Sequence, residues 1–559
     1  MHDLVQHNRA KASKYLSQAV IGRMVLFVVA AAIFCFPLAK VGKLYLGDDL
    51  IFHLQRLAGL SNVWSSPINF NSFMSHGVAV NTYYPWLLYY PAYLLSLLTG
   101  NIFTAYKLYI FGLTLLCLYF GYWMAKKLLQ SDFRGTIFAL VYTFSTYRAA
   151  DVFKRAAVGE IIAFTVMPLV LLGLWYVLVD DARRWPLLAV SMAALVYAHL
   201  LSLILAVVMC VLITVPYLCM SHRWHVCLLP IIKAALMCSI LSLGFIIPML
   251  RQTHFEAVTS PVAVTIAGVA PATLFDGMLN NDWLTYSVGI VCLVALGIIL
   301  SHMRQFTVFE RALLIADGIF LVCTTTLVPM QLLNGTPASQ IQFLFRLNMF
   351  VTLLSLLLAC HYISVPRHNL HLGTVMVLLG CLMVVHYQGY EQMTHHNPQR
   401  YAPIPDRMYT YSEIRNELFK NRYVREYRPT SAGAGYAMPQ YYQVQFNDQP
   451  ADAQVTHTST VYTLSLNAPT DRAGWLQTSV FSYLDAETTI DGRAANKVKS
   501  TKGMVTVYVP KGVRQINVRY RYAPIIRLAW AISLAALVAC SWWLIRLKRL
   551  DFRRDSALH

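Results

Sequence analysis

Apolar residues run in long unbroken stretches over most of the chain, and most stretches are long enough to cross a bilayer as one helix. The pattern places spans near 24–42, 103–125, 136–149, 161–179, 187–200, 201–219, 227–250, 286–302, 310–330, 347–364, 370–387 and 525–545. Residues 186–217 form one apolar run. As a single helix it would be about 48 Å long against a hydrocarbon core of about 30 Å, so it is split near His199. The stretch YPWLLYYPAYLLSLL (84–98) is short and carries Pro85 and Pro91, and it reads as an interfacial or re-entrant helix. The pattern changes over 388–524. MVTVYVPKGVRQINVRYRY (504–522) alternates apolar and polar residues around Pro510–Lys511–Gly512 and predicts a hairpin. QYYQVQF (440–446) and STVYTLSL (459–466) predict further strands. The expected fold is a polytopic α-helical membrane protein of about twelve spans, with an extracytoplasmic β-rich domain, a small sandwich, before the last span.

The expected divisions are a basic cytoplasmic N-terminus (1–23), a transmembrane region (24–387) with an outer loop at 43–102, the β-rich domain (388–524), a last span (525–545) and a basic cytoplasmic tail (546–559). Composition agrees. The 559 residues are 57% hydrophobic and 13% charged, with a mean hydropathy of +0.51, whereas soluble domains are about a quarter charged. The net charge of +19 does not point to nucleic acid. The basic residues flank the spans, as the positive-inside rule requires. With the N-terminus inside, the internal segments carry Lys126, Lys127 and Arg134; Arg183 and Arg184; Arg223; Arg304 and Arg311; Arg367; and the tail from Arg546 to Arg554. The N-terminus, with Arg9, Lys11, Lys14 and Arg23 before an apolar run, is expected to remain as a signal anchor. The eleven cysteines lie in apolar runs, none in 388–524, and read as small core residues rather than a disulfide framework.

This orientation puts every polar cluster on the outer side. GDDLIFHLQR (47–56) carries Asp48, Asp49, His53 and Arg56 on a short helix. At about 100° per residue, Asp49, His53 and Arg56 share an arc of roughly 60°, while Leu50, Leu54 and Leu57 form an apolar face suited to a membrane surface. One Asp suffices to cap a helix; two, with His and Arg beside them, exceed that need. FKRAAVGE (153–160) brings Lys154 and Arg155 to an outer boundary, and Glu160 opens an apolar helix. Paired cations suit a lipid phosphate. His199 lies at the tip between two spans, and QIQFLFRLN (340–348) sets Gln342 and Arg346 where a span begins, a costly place for Arg unless it faces protein, water or a headgroup. Asp276 and Asp282 read as ordinary loop acids. No metal-ligand spacing, P-loop or GxSxG elbow is present. No cofactor is expected; a divalent ion on outer-face acids is compatible with the sequence but not demanded by it.

The pattern G-x-D-L-x-F-H-L-x-R, the R-A-x-x-G-E segment and the Q-F-x-x-R loop resemble the YfhO-like bacterial membrane proteins, some of which carry the label "6-pyruvoyl-tetrahydropterin synthase-related". These are similar to GT-C glycosyltransferases. The resemblance covers most of the membrane region and, more weakly, the β-rich domain and last span. It implies a GT-C-like fold in a bacterial plasma membrane, with a polyprenyl-phosphate sugar donor used at the extracytoplasmic face and a cell-envelope glycopolymer or glycolipid as acceptor. Asp49 matches the family acid, with Gly47, Phe52, His53 and Arg56 around it; Arg155, Gly159 and Glu160 match the second segment; Gln342, Phe343 and Arg346 match the third. Asp48 stands where many relatives have His, which leaves open which Asp is the base, and Leu344–Phe345 replaces a frequent Pro–Trp. Nothing resembles a soluble metal-dependent pterin enzyme.

The expected activity is inverting transfer of one sugar. Asp49, with Asp48 as the alternative, takes the acceptor proton. Arg155 and Arg346, with Lys154 or Arg56, stabilise the departing phosphate. His53, Glu160, His199 and Gln342 complete the substrate-binding set. Two other classes fit a polytopic chain: a lipid or polymer transporter (flippase), and a non-catalytic envelope assembly protein. Transporters usually place charge near the midplane and show repeated halves; here the charges gather on one side and no repeat is visible.

Overall fold

The computed structural model describes residues 19–259, 264–395, 408–414, 426–432 and 443–557. Its helices include α1 (Ala19–Phe34), α2 (Leu50–Ala58), α3 (Tyr90–Thr99), α4 (Ile102–Leu129), α5 (Asp132–Thr143), α6 (Val158–Leu178), α7 (Trp185–Val196), α8 (Leu200–Ser221), α9 (Trp224–Leu241), α10 (Leu243–Phe255), α11 (Gly289–His302), α12 (Val308–Cys323), α13 (Asn348–Tyr362), α14 (His371–His395) and α15 (Pro524–Ala557). Among the described residues, seven helices are long and apolar enough to cross a membrane: Ile102–Leu129, Val158–Leu178, Leu200–Ser221, Trp224–Leu241, Leu344–Tyr362, His368–Thr394 and Pro524–Asp551. The other five expected spans fold as shorter helices, α1, α5, α7, α11 and α12. The apolar run at 186–217 breaks at Tyr197–His199, between α7 and α8. Residues 84–98 yield the ten-residue α3, about 15 Å long and too short to cross.

Local chemistry sets several boundaries. Asn101 caps α4 by accepting from the amides of Phe103 and Thr104 at 2.9 and 3.2 Å, and Gln130 ends it in a left-handed turn (φ 50°). Thr307 and Glu310 form a reciprocal capping box on α12. The helix ends near Leu129, Val179, Phe309 and His361 meet around one cavity of about 360 Å³. The basic boundary residues gather at this end: Arg223 donates to Leu178 O at 2.9 Å, and Arg134 to Ile363 O at 3.1 Å.

Among the described residues, twelve strands form three sheets. β1 (Lys43–Tyr45) pairs antiparallel with β2 (Met408–Thr410). Beyond them lie β3 (Gln445–Phe446), β4 (Gln449–Pro450), β5 (Ala453–His457), β6 (Val461–Leu466), β7 (Gly474–Phe481), β8 (Ala486–Ile490), β9 (Arg493–Ala494), β10 (Val498–Thr501), β11 (Met504–Val509) and β12 (Gln515–Tyr520). They form two five-stranded sheets, ordered β10-β11-β7-β3-β4 and β5-β6-β12-β8-β9, over one apolar core. The expected hairpin at 504–522 is therefore corrected. β11 pairs with β10 and β7, whereas β12 pairs with β6 and β8 in the facing sheet. The turn signal at Pro510–Gly512 is real, but alternation does not distinguish a hairpin from an arch that crosses between sheets. Of the expected strand at 440–446, Gln445–Phe446 forms β3, and 440–442 lie outside the described residues.

The loop that follows α2 completes the sandwich core with Ile68, Phe70, Phe73 and Val78–Val80. Phe70 N donates to Ser459 O at 3.1 Å and Phe481 N to His76 O at 3.0 Å. The sequence suggested that α2 lies on a membrane surface. Instead it is enclosed on both faces, with Leu50, Ile51, His53, Leu54, Gln55, Arg56 and Leu57 all buried, because the helical bundle and the β-sandwich close over it.

Candidate functional site

Two chain segments are stitched together to build the site. The amide of Asp48 donates to Lys154 O at 3.1 Å, and that of Asp49 to Arg155 O at 2.7 Å. Gly47 makes this possible: a Cβ there would lie 2.9 Å from Ala156 Cβ and 3.1 Å from the Arg155 carbonyl. Residues Ala150–Arg155 form a π-helix, closed by Ala156 in the left-handed region (φ 59°). The wider π turn fits an extra residue ahead of α6 and turns Lys154 and Arg155 back toward the Asp48–Asp49 loop.

The two adjacent acids meet different fates. Asp48 Oδ2 accepts from Lys154 Nζ at 2.7 Å and from the Tyr286 hydroxyl at 3.1 Å, and Lys154 also donates to that hydroxyl. Asp49 occupies the N-cap position of α2 but makes no side-chain cap bond. Its carboxylate, 41% exposed, stands 3.6 Å from Arg155 Nη2. The site walls still desolvate it. That burial pushes its pKa above the ordinary carboxylate value; Arg155 opposes the shift, and Glu160 and Asp48 add to it.

Behind Asp49 lies a closed ionic network. Arg155 Nη1 donates to Glu160 Oε2 at 2.7 Å and reaches Asp151 Oδ1 at 3.5 Å, and Arg346 Nε donates to Glu160 Oε1 at 2.7 Å. Tyr147 adds a bond to Glu160 at 3.3 Å. Arg346 Nη1 also donates to Ile341 O and to Gln342 Oε1, at 2.7 and 3.1 Å. Gln342 takes φ 57°, a rare conformation for a residue with Cβ, and bends the loop so that Arg346 points inward. Phe345 stacks on Tyr286 at 4.0 Å and lies 5.4 Å below the Arg155 guanidinium.

A second cluster surrounds Tyr84. The Arg56 guanidinium lies 3.9 Å from its ring centroid, and the rings of His53 and His199 lie 5.7 and 5.9 Å away. Arg56 donates to Pro85 O at 2.6 Å and contacts His53 Nδ1 at 3.3 Å. Burial, then Arg56, holds the His53 pKa well below the usual imidazole value. Burial also holds His199 at about 4 despite the pull of Glu160.

All ten expected site residues thus fall into two adjoining groups. Asp48, Asp49, Lys154, Arg155, Glu160, Gln342 and Arg346 form the first, and His53, Arg56 and His199 the second. Asp276 and Asp282 stay outside, serving Asn280 and the turn at Leu284. Sequence reasoning missed three participants: Asp151, Tyr286 and Tyr84. Asp151 is 1% exposed and its Oδ2 has no partner among the described residues. Its signal was visible, an acid at the edge of an apolar segment. The two tyrosines gave none in a chain with 33 tyrosines. No group of three or more His, Cys, Asp or Glu able to hold a metal occurs among the described residues.

No curated protein matches the chain. Among solved structures, the arabinofuranosyltransferase AftD from mycobacteria aligns with 17% identity and a TM-score of 0.42, covering 66% of this chain and 26% of that one. The chain thus spans about a quarter of that structure's length. A family model described as 6-pyruvoyl-tetrahydropterin synthase related domain, membrane protein, matches residues 81–390, more than half of the chain, and the chain belongs to that family.

Proposed function

We propose that the protein is a membrane glycosyltransferase that moves a sugar from a polyprenyl-phosphate carrier to an extracytoplasmic hydroxyl acceptor, such as a cell-envelope glycan. The observation that carries this reading is the state of Asp49. It holds a cap position without capping, its exposed carboxylate stands beside a buried network, and its neighbour Asp48, also partly exposed, is engaged by Lys154 and Tyr286. That division of labour favours Asp49 as the base.

In the proposed step the acceptor oxygen attacks the anomeric carbon as Asp49 takes its proton. The bond from that carbon to the phosphate oxygen breaks, and its electron pair leaves with the lipid phosphate. A single displacement inverts the anomeric centre. Arg155 orients Asp49, and Glu160 with Arg346 fixes Arg155. The ten residues lie in or just before the short helix α2, in the loops and turns that precede long apolar helices, and in the first turn of α6, rather than in the middle of those helices, which disfavours the transporter reading.

The test is transfer of label from radiolabelled polyprenyl-phosphate sugars to envelope acceptors by the purified chain in liposomes. Asp49→Asn abolishes transfer, whereas Asp48→Asn keeps measurable activity. Activity that survives Asp49→Asn removes Asp49 as base. Absence of transfer by the wild type across a broad donor panel removes the transferase reading.

A further inference from the structure

Charge accounting divides the cations of the site into two kinds. Lys154, Arg155 and Arg346 face four carboxylates, Asp48, Asp49, Asp151 and Glu160. These cations are already neutralised and act as struts between acids. Arg56 differs. It is 1% exposed, no carboxylate pairs with it among the described residues, and its Nε has no partner. Its contacts are a backbone carbonyl, a neutral imidazole and an aromatic face. A buried guanidinium without a counter-charge is costly, and an anionic ligand would offset that cost.

The surroundings point to the anion's chemistry. Gly159 marks where the walls converge: a Cβ there would strike the Tyr84 hydroxyl and lie 3.1 Å from Ala198 O. Tyr84 and His199 therefore share one corner with the start of α6. Two segments lead from this corner into an apolar cavity of about 480 Å³. Pro85, whose carbonyl holds Arg56, is followed by Trp86 in the cavity wall, and Tyr197, two residues before His199, lines the opposite side. Two residues span at most about 7 Å, close to the distance from a phosphate to the first units of its lipid chain. The cavity reaches an apolar surface past Trp64, Leu534 and Leu537, which are 50, 62 and 41% exposed.

We infer that Arg56, with His53 and His199, binds the phosphate of the lipid-linked donor, and that the groove between α7 and α15 takes the proximal part of its isoprenoid chain. This rests on the transferase reading and refines it. Phosphate recognition moves from the Arg155–Arg346 pair to Arg56, and α15, the helix that follows the β-sandwich, becomes a wall of the donor site. Arg56 supplies the charge-assisted fork; neutral His53, whose Nδ1 faces Arg56, presents its other nitrogen as a donor.

The experiment measures binding of undecaprenyl phosphate, undecaprenol and inorganic phosphate to the full chain in nanodiscs. Arg56→Gln weakens undecaprenyl phosphate about tenfold or more and leaves undecaprenol unchanged, whereas Arg56→Lys loses less. Ala193→Trp fills the groove and weakens both lipids alike. Because Arg56 and His53 are both buried, His199→Gln, at a half-buried position, provides the same comparison if Arg56→Gln does not fold. Undecaprenyl phosphate binding that falls more in Arg155→Gln than in Arg56→Gln overturns the assignment and leaves the transferase reading standing. Inorganic phosphate binding as tightly as the lipid overturns the groove. A wild type that binds no lipid phosphate overturns both.

Discussion

At the scale of the residue, the base role proposed for Asp49 opposes its contribution to stability. Its pKa is raised, so the folded chain holds that proton more tightly than the unfolded chain does. Ionising Asp49 above its ordinary titration range therefore favours the unfolded state. Catalysis by a base needs the ionised form. Two consequences follow with opposite signs. Transfer falls as pH drops through a value above the ordinary aspartate range, which a profile of kcat/KM against pH measures, with a limb at the unshifted value counting against Asp49. Asp49→Asn, by contrast, does not lower the Tm at pH 8 even though it removes activity. Gly47 makes a complementary case. Gly47→Ala introduces a methyl 2.9 Å from Ala156 Cβ and 3.1 Å from the Arg155 backbone, neither of which is a flexible side-chain end. The expected cost is about 1–3 kcal/mol, with a large loss of transfer because the two backbone hydrogen bonds that dock Asp48 and Asp49 are pried apart. Thermal unfolding and the transfer assay on one preparation check both.

At the scale of the element, the π-helix at Ala150–Arg155 aims the network, and it explains what the sequence concealed. The charges of FKRAAVGE and their nearness to an outer boundary were readable, but a single extra residue in a turn leaves no periodicity to detect. Nor could spacing show that Asp151 and Arg155, four residues apart, would share one cluster with Glu160. Helix α2 taught the reverse lesson. Its polar arc and apolar face were legible, yet the partner covering the polar side, the loop around Tyr84, lies remote in sequence and carries no charge. The break at His199 was legible because length alone forbids one helix there. Deleting Ala150 converts the π turn toward an α turn and swings Lys154 and Arg155 by about 100° relative to the preceding helix. Transfer is expected to fall about 100-fold or more, the scale of losing an electrostatic stabiliser, while far-UV circular dichroism stays near that of the wild type. Retained activity would show that the turn is incidental to the site.

At the scale of the whole molecule, the β-sandwich is built into the site rather than appended to it. Its core takes in Ile68, Phe70, Phe73 and Val78–Val80 from the loop that follows α2, and Phe52 of α2 packs against the same cluster. Arg251 of α10 holds Asp485 by two bonds, at 3.0 and 3.3 Å, and Gln252 accepts from Leu484 N at 2.8 Å. The strands at 459–466 and 504–520 were legible, but their union with residues 68–80 was not, because that loop reads as polar connection with scattered aromatics. The arrangement couples sandwich packing to the position of the helix that carries His53 and Arg56. Phe70 is fully buried between the loop and Tyr462 and Tyr520, so Phe70→Ala should cost about 3–5 kcal/mol. If the sandwich and the site are one cooperative unit, the same substitution lowers transfer and loosens the amides of residues 47–58 in hydrogen exchange, although Phe70 touches neither Asp49 nor Arg56. A variant that melts earlier yet exchanges normally at 47–58 would mean that the sandwich unfolds separately and merely covers the site.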